Sequence, residues 1–317
     1  MKLVGILTAS VFILSLPLVA AETKVTIDVS GFFLTRGAGT TTPLVSLSAN
    51  PGTGDVFTTD SVALNTWKPG GDLRLGLSWG KLGAEVRGFM LAKWSNSALN
   101  TFPSGASVVI ETDPTTSYGL SAGNTLTASN ESTFKGFEAN LTYDLSPAVR
   151  LYGGARYLLI DETFDLYGSW PPGNEEDIWS TTNKMLGGQL GVRIGVLRLA
   201  DAATKGFTVQ GHGAFALFSN SAHADFALLD DGVDRYEPVP VDASKISPAV
   251  DAGLQVGYRL TGAIEVHAGY DLMWLNSVAQ ATYQVAGTTP YGDSPTLTLV
   301  FSSLVVHGAK AGVTIRF

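Results

Sequence analysis

The feature that most constrains this chain is an alternation of apolar and polar residues, with period two, held over ten or more positions and repeated along its length. In Phe137–Leu145, residues Phe137, Ala139, Leu141, Tyr143 and Leu145 share one face, and Glu138, Asn140, Thr142 and Asp144 share the other. A helix would group side chains every 3.6 residues, whereas a strand sends successive side chains to opposite faces. Ten such runs can be marked, at 23–34, 71–80, 82–94, 133–145, 149–164, 184–197, 207–218, 246–260, 263–275 and 299–317. Each reaches the ~9–11 residues that a tilted strand needs to cross a bilayer. Strands of globular proteins are usually about half that length.

The connections alternate as well. Gly80-Lys81, Ser146-Pro147, the 198–206 segment and Thr261-Gly262 are short. The segments 35–70, 95–132, 165–183, 219–245 and 276–298 are long and rich in Gly, Pro, Asn, Ser and Asp. Short turns at one end and long loops at the other are the pattern of an outer-membrane barrel. The fold expected is all-β: a transmembrane antiparallel β-barrel of about ten strands, with both termini on the short-turn side. Twelve strands would result if 95–132 contributed a hairpin from 107–111 and 117–127. Trp79, Tyr143, Leu145 and Phe317 are expected in a girdle beside the short turns, and Phe33, Trp94, Tyr157, Phe218 and Trp274 in one beside the long loops.

Residues 1–21 read as a secretory signal: Met1-Lys2, then an apolar run to Leu18, then small residues before Glu22. The mature barrel domain is therefore expected over 22–317, in the bacterial outer membrane. The chain has no cysteine, which excludes a disulfide scaffold, a thiolate metal site and a cysteine nucleophile. A net charge of −8 argues against nucleic acid as a partner, because duplex binding needs a basic face. The partners expected are outer-membrane lipid and lipopolysaccharide, the barrel assembly machinery and small solutes. The pattern serves a monomer and a homo-oligomer alike.

The polar faces of the strands carry nearly balanced charge, so the acidic excess falls on loops and rims. By residue counting Arg74, Arg87, Glu138, Arg156, Arg193, Asp251 and Asp271 lie near mid-height of the lumen. Opposite charges in a dry interior must pair, because an isolated buried charge is very costly. This set therefore serves either as a pore lining or as a plug. Inward glycines such as Gly191 and Gly253 are expected to add room.

The C-terminal Val305–Phe317 alternates and ends on Phe317, resembling the signal by which outer-membrane proteins are recognised for assembly. Five further pieces resemble the planctomycete-type barrel porins and the Legionella-type major outer-membrane, pore-forming group. They are Gly154–Glu162 (GARYLLIDE), Asn183–Gly191 (NKMLGGQLG), Ile246–Gly257 (ISPAVDAGLQVG), Ala268–Asp271 with Trp274, and Gly71–Gly80 followed by Gly83–Leu91. They span most of 71–275, and their order is more specific than any one of them. The resemblance implies a barrel with pore formation and no catalytic residues. The N-terminal third departs from it, so loop-borne specificity does not carry over.

Familiar catalytic and phosphate-binding motifs are absent. His267 and Asp271 share an inward face, but four residues along a strand separate them by ~13 Å, too far for a dyad. Asp230, Asp231 and Asp234 crowd three carboxylates that calcium could take. Their spacing fits no EF-hand, and an ordinary acidic loop is the preferred reading. No cofactor and no enzyme activity are expected. The leading expectation is a porin-like channel for passive diffusion of small hydrophilic solutes. The alternatives are a closed structural or surface-interaction barrel presenting long acidic loops, and an outer-membrane barrel enzyme.

Overall fold

A computed structural model describes residues 23–37, 41–47, 55–102, 106–110, 117–120, 124–170, 173–199, 205–234, 237–289 and 295–317. The expected signal, 1–21, lies outside the described residues. Ten long strands form one ring: β1 (Thr23–Arg36), β2 (Lys68–Trp79), β3 (Leu82–Leu91), β4 (Thr125–Ser146), β5 (Val149–Trp170), β6 (Gly173–Leu199), β7 (Gly206–Asp230), β8 (Val239–Arg259), β9 (Ile264–Val278) and β10 (Ser302–Arg316). Every neighbouring pair is antiparallel, and β10 returns to pair with β1 from Thr26↔Arg316 to Arg36↔Val306. The terminal residue continues that seam, since Phe317 donates to the Val25 carbonyl at 2.9 Å and Val25 donates back at 3.1 Å. Closure removes both sheet edges, which is the condition for a sheet to exist in lipid.

The short turns follow from local chemistry. Gly80 takes φ +61 in the two-residue link between Trp79 and Leu82, a left-handed conformation open to glycine. At the next turn the Ser146 hydroxyl accepts the Ala148 and Val149 amides at 3.2 and 3.1 Å. Thr261 does the same for Ala263 and Ile264 at 3.2 and 3.0 Å.

The outward face is a belt of exposed apolar side chains on strand after strand: Leu73, Leu75 and Leu77 on β2, Leu141 on β4, Leu186 and Leu190 on β6, Phe215 and Leu217 on β7, and Leu254 and Val256 on β8. A water-soluble protein would bury a patch this large. The chain is a closed, bilayer-spanning barrel of the outer-membrane kind.

β4 to β8 run to between 21 and 27 residues, about twice the span of a bilayer. They rise past the belt as a half-cup on the long-loop side. The sequence 95–132 does contain the suspected hairpin: Ala106–Ile110 pairs with Ser117–Leu120. It does not enter the ring. It joins Pro43–Leu47 and Asp55–Thr58 in a separate four-stranded sheet, so the barrel stays at ten strands. The strand Trp94–Thr101 continues the line of β3 along the upper half of β4.

Two residues assigned to the upper girdle face inward instead. Phe218 has no exposed surface, and Trp94 is 1% exposed, its indole nitrogen donating to the Thr66 carbonyl at 3.1 Å. Phe33, by contrast, is 57% exposed on the outer wall.

Candidate functional site

The ring encloses a lumen, and its contents decide what the barrel can do. From the short-turn end upward they form four zones: a charged layer, an apolar layer, a polar layer and a second apolar layer.

Six of the seven mid-height residues converge in ion pairs of the charged layer. Arg193 on β6 reaches Glu85 on β3 through two parallel bonds, Nη1 to Oε2 at 2.7 Å and Nη2 to Oε1 at 2.5 Å. Arg156 on β5 reaches Asp251 on β8, Nη1 to Oδ2 at 2.5 Å. In each case two other strands stand between the partners in the ring, so both pairs are chords across the lumen. Arg87 pairs with Asp72 and, at 3.1 Å, with Glu138. Glu138 also accepts from Gln189 at 3.0 Å and lies 3.5 Å from the Arg156 Nε. Lys310 pairs with Asp271 at 2.9 Å. Desolvating these charges is costly, and the network holds because each carboxylate gathers charged donors at bonding distance. Arg74 is the seventh, and among the described residues it has no hydrogen bond or ion pair. Asp72, Glu85, Gln189 and Lys310 were not in the mid-height set, because residue counting ignores the stagger between strands.

Gly191 and Gly253 do not open the lumen as expected. A Cβ on Gly191 would sit 2.3 Å from the Tyr152 ring, and one on Gly253 would sit 2.2 Å from Asp271 and 2.3 Å from His212. Their neighbours already occupy the space.

Above the charges, the inward face turns apolar. Phe32, Phe89, Phe134, Leu158, Ile160, Met185, Phe218, Leu275 and Val306 form one buried cluster. Phe89 and Phe134 meet edge to face with ring centroids 5.3 Å apart. The sequence carried a signal for this layer: in Tyr157-Leu158-Leu159-Ile160 both faces of the strand are apolar, where a water-filled lumen would need alternation.

The polar layer is crossed by Arg36 and Glu162, 2.5 Å apart, with Gln280 accepting from the second Arg36 nitrogen at 2.6 Å. Here the segment after β9 turns inward. Asn183 holds it at both ends of Ala279, donating to its carbonyl at 2.7 Å and accepting its amide at 2.8 Å. The helical turn Ala281–Gln284 and the 3-10 turn Val285–Gly287 follow inside the cup. The second apolar layer caps the whole: Leu44, Val45, Phe57, Val62 and Phe102 from the early loops, and Ala281, Val285 and Leu297 from the late one, pack against Phe164, Trp179, Phe226 and Leu228.

The remaining sequence candidates are dispersed. His267 lies 3.1 Å from Ser30 and 3.7 Å from Asp28, while Asp271 faces Lys310 and His212. Asp231 and Gly232, at φ +50 and +76, make the two-residue turn linking Asp230 to Val233, and Asp231 accepts the Asn174 amide at 3.0 Å. Among the described residues no group of His, Asp and Glu converges as a set of metal ligands.

No protein-family model and no curated protein matches the sequence. Solved structures do resemble the fold. One is the outer membrane protease OmpT from Escherichia coli, at TM-score 0.43 and 10% identity over 93% of this chain and 96% of that one. Another is the translocator domain of the autotransporter NalP from Neisseria meningitidis, at 0.36 and 12% identity over 93% and 88%. A Pseudomonas aeruginosa FadL homologue gives 0.30 and 10% identity over 92% and 89%.

Proposed function

We propose that this protein is a closed outer-membrane barrel that presents a large, loop-filled surface structure, and that its lumen is a plug. The observation that carries the reading is the pair of apolar layers stacked above the charged one, with side chains such as Leu158, Phe218, Trp179 and Ala224 at 0% exposure. A hydrated ion crossing them would lose its water with no polar group to replace it, which is prohibitive. This weighs against the passive porin expected from sequence, although the resemblance over 71–275 and the charged layer favour that second reading.

In the closed reading the work lies outside the membrane, where β4 to β8 and the loops between them form the exposed surface. Lipid and lipopolysaccharide meet the apolar belt and the acidic rim. Phe317, 71% exposed at the end of β10, is the group offered to the assembly machinery. No catalytic step is part of this reading.

The test is single-channel recording of the refolded protein in a planar bilayer, with insertion verified independently. The closed reading expects a silent membrane. Reproducible conductance steps would overturn it in favour of the pore.

A further inference from the structure

We propose that the charged layer of the lumen binds one small inorganic anion of the halide class, held by Arg74. Arg87, Arg156, Arg193 and Lys310 each pair with a carboxylate, whereas Arg74 makes no ion pair among the described residues: Glu85 and Asp72 act on it only from beyond pairing distance, Arg193 and Arg87 oppose them, and its Nε is buried without a partner. Its cross-strand neighbours sharpen the imbalance. On one side Arg74 stands directly opposite Arg87, a like-charge pair. On the other it stands opposite Asp28, whose carboxylate is turned away to Thr314 at 2.5 Å and Ser30 at 2.9 Å.

Arg74 points into a cavity of about 80 Å³. Gln210 and Gln255, opposite each other on β7 and β8, also line it, and neither side-chain amide has a hydrogen bond among the described residues. His212 completes the wall, 3.7 Å from Asp271. The guanidinium, its Nε buried and unbonded, and two amides that make no hydrogen bond among the described residues therefore line one small space. A buried donor left unmade is costly, and a buried unpaired cation more so. The volume is several times the ~10–15 Å³ that one water needs, so it admits a halide together with water. Water would satisfy the amides but not the charge; an anion satisfies both. The inference is independent of whether the barrel conducts.

Bromide is the probe, because its anomalous scattering locates it directly. Crystals of the wild-type protein grown in sodium bromide should show one anomalous peak in the cavity, within contact of Arg74. In parallel, thermal unfolding in detergent is followed in sodium bromide and in sodium gluconate at equal ionic strength. The wild type should melt several degrees higher in bromide, since a ligand of the folded state alone stabilises it by mass action. Arg74→Gln should lose that difference while remaining at least as stable as the wild type in gluconate, having shed an uncompensated charge. Water alone in the cavity of the bromide crystals would overturn the proposal, and so would equal bromide dependence in the wild type and R74Q. Should R74Q fail to fold, the crystallographic result on the wild type decides.

Discussion

Arg36 and Glu162 sit on β1 and β5, with three strands between them in the ring, and their side chains meet 2.5 Å apart inside the barrel. Both are nearly inaccessible, at 7% and 1% side-chain exposure. The same carboxylate accepts the Ala281 amide through its other oxygen at 3.1 Å. One ion pair thus spans the lumen and pins the inserted segment after β9.

That linkage predicts the effect of Glu162→Ala. Arg36 would be left buried and unpaired, and the turn at Ala281 would lose its anchor. Hydrogen exchange over 279–289 should speed up markedly, with the amides of the lower barrel unaffected. Unchanged protection there would contradict the anchoring role.

The chord between Arg193 and Glu85 should matter energetically. Glu85→Gln removes the charge that answers Arg193 and should destabilise the folded barrel by about 3–5 kcal/mol. Adding Arg193→Met should recover much of the loss, because Arg193 is then no longer left without its carboxylate. Urea titration of the single and double variants in detergent gives the coupling.

The apolar layer can be opened. Phe89→Ala or Phe134→Ala should cost about 3–5 kcal/mol each, as buried phenylalanines do. The two rings touch, so the double variant leaves one joined void next to the charged layer. That variant, with the 279–289 segment released by Glu162→Ala, should conduct where the wild type is silent. Silence of the triple variant, shown to be inserted, would place the seal in the upper layer.

Above the membrane, pH acts on two outward-facing groups in the same sense but over different windows. Burial, reinforced by the neighbouring carboxylate of Glu176 and by Glu131, raises the Asp165 pKa to about 7. The folded state then holds a proton that the unfolded chain releases near ~3.9, so stability of the strand tips falls as pH rises from about 4 to about 7. Glu176→Gln should flatten that dependence, read by hydrogen exchange at the ends of β5 and β6.

His223 acts in the same direction at higher pH. Its ring bonds Asp242 and Asp225, both at 2.9 Å, and the Asp242 bond chiefly raises its pKa. Its contribution is complete below the ordinary ~6.5 and is lost as pH rises through the folded value. Titration by NMR should give a midpoint above the ordinary one, and Asp242→Asn should move it down.

Sequence alone determined the barrel. Alternation over ten or more residues assigns each side chain to lipid or lumen, because the period of a strand is two whatever surrounds it. The ten strands, the short turns at Gly80, Ser146 and Thr261, and the inward direction of Arg87, Glu138, Arg156 and Asp251 were all legible for that reason. Which charge meets which was not, because a pair such as Arg193 with Glu85 depends on ring closure and on the stagger between strands. Nor was the plug. Phe218 and Trp94 carry the residue types of an interfacial girdle, and only their place inside the ring makes them core. The loops decided most: polar composition marks 35–70 and 276–298 as surface, yet Leu44, Val62 and Val285 pack inside the cup. Their burial follows from strands long enough to rise beyond the bilayer and leave an apolar wall that something in the chain must cover.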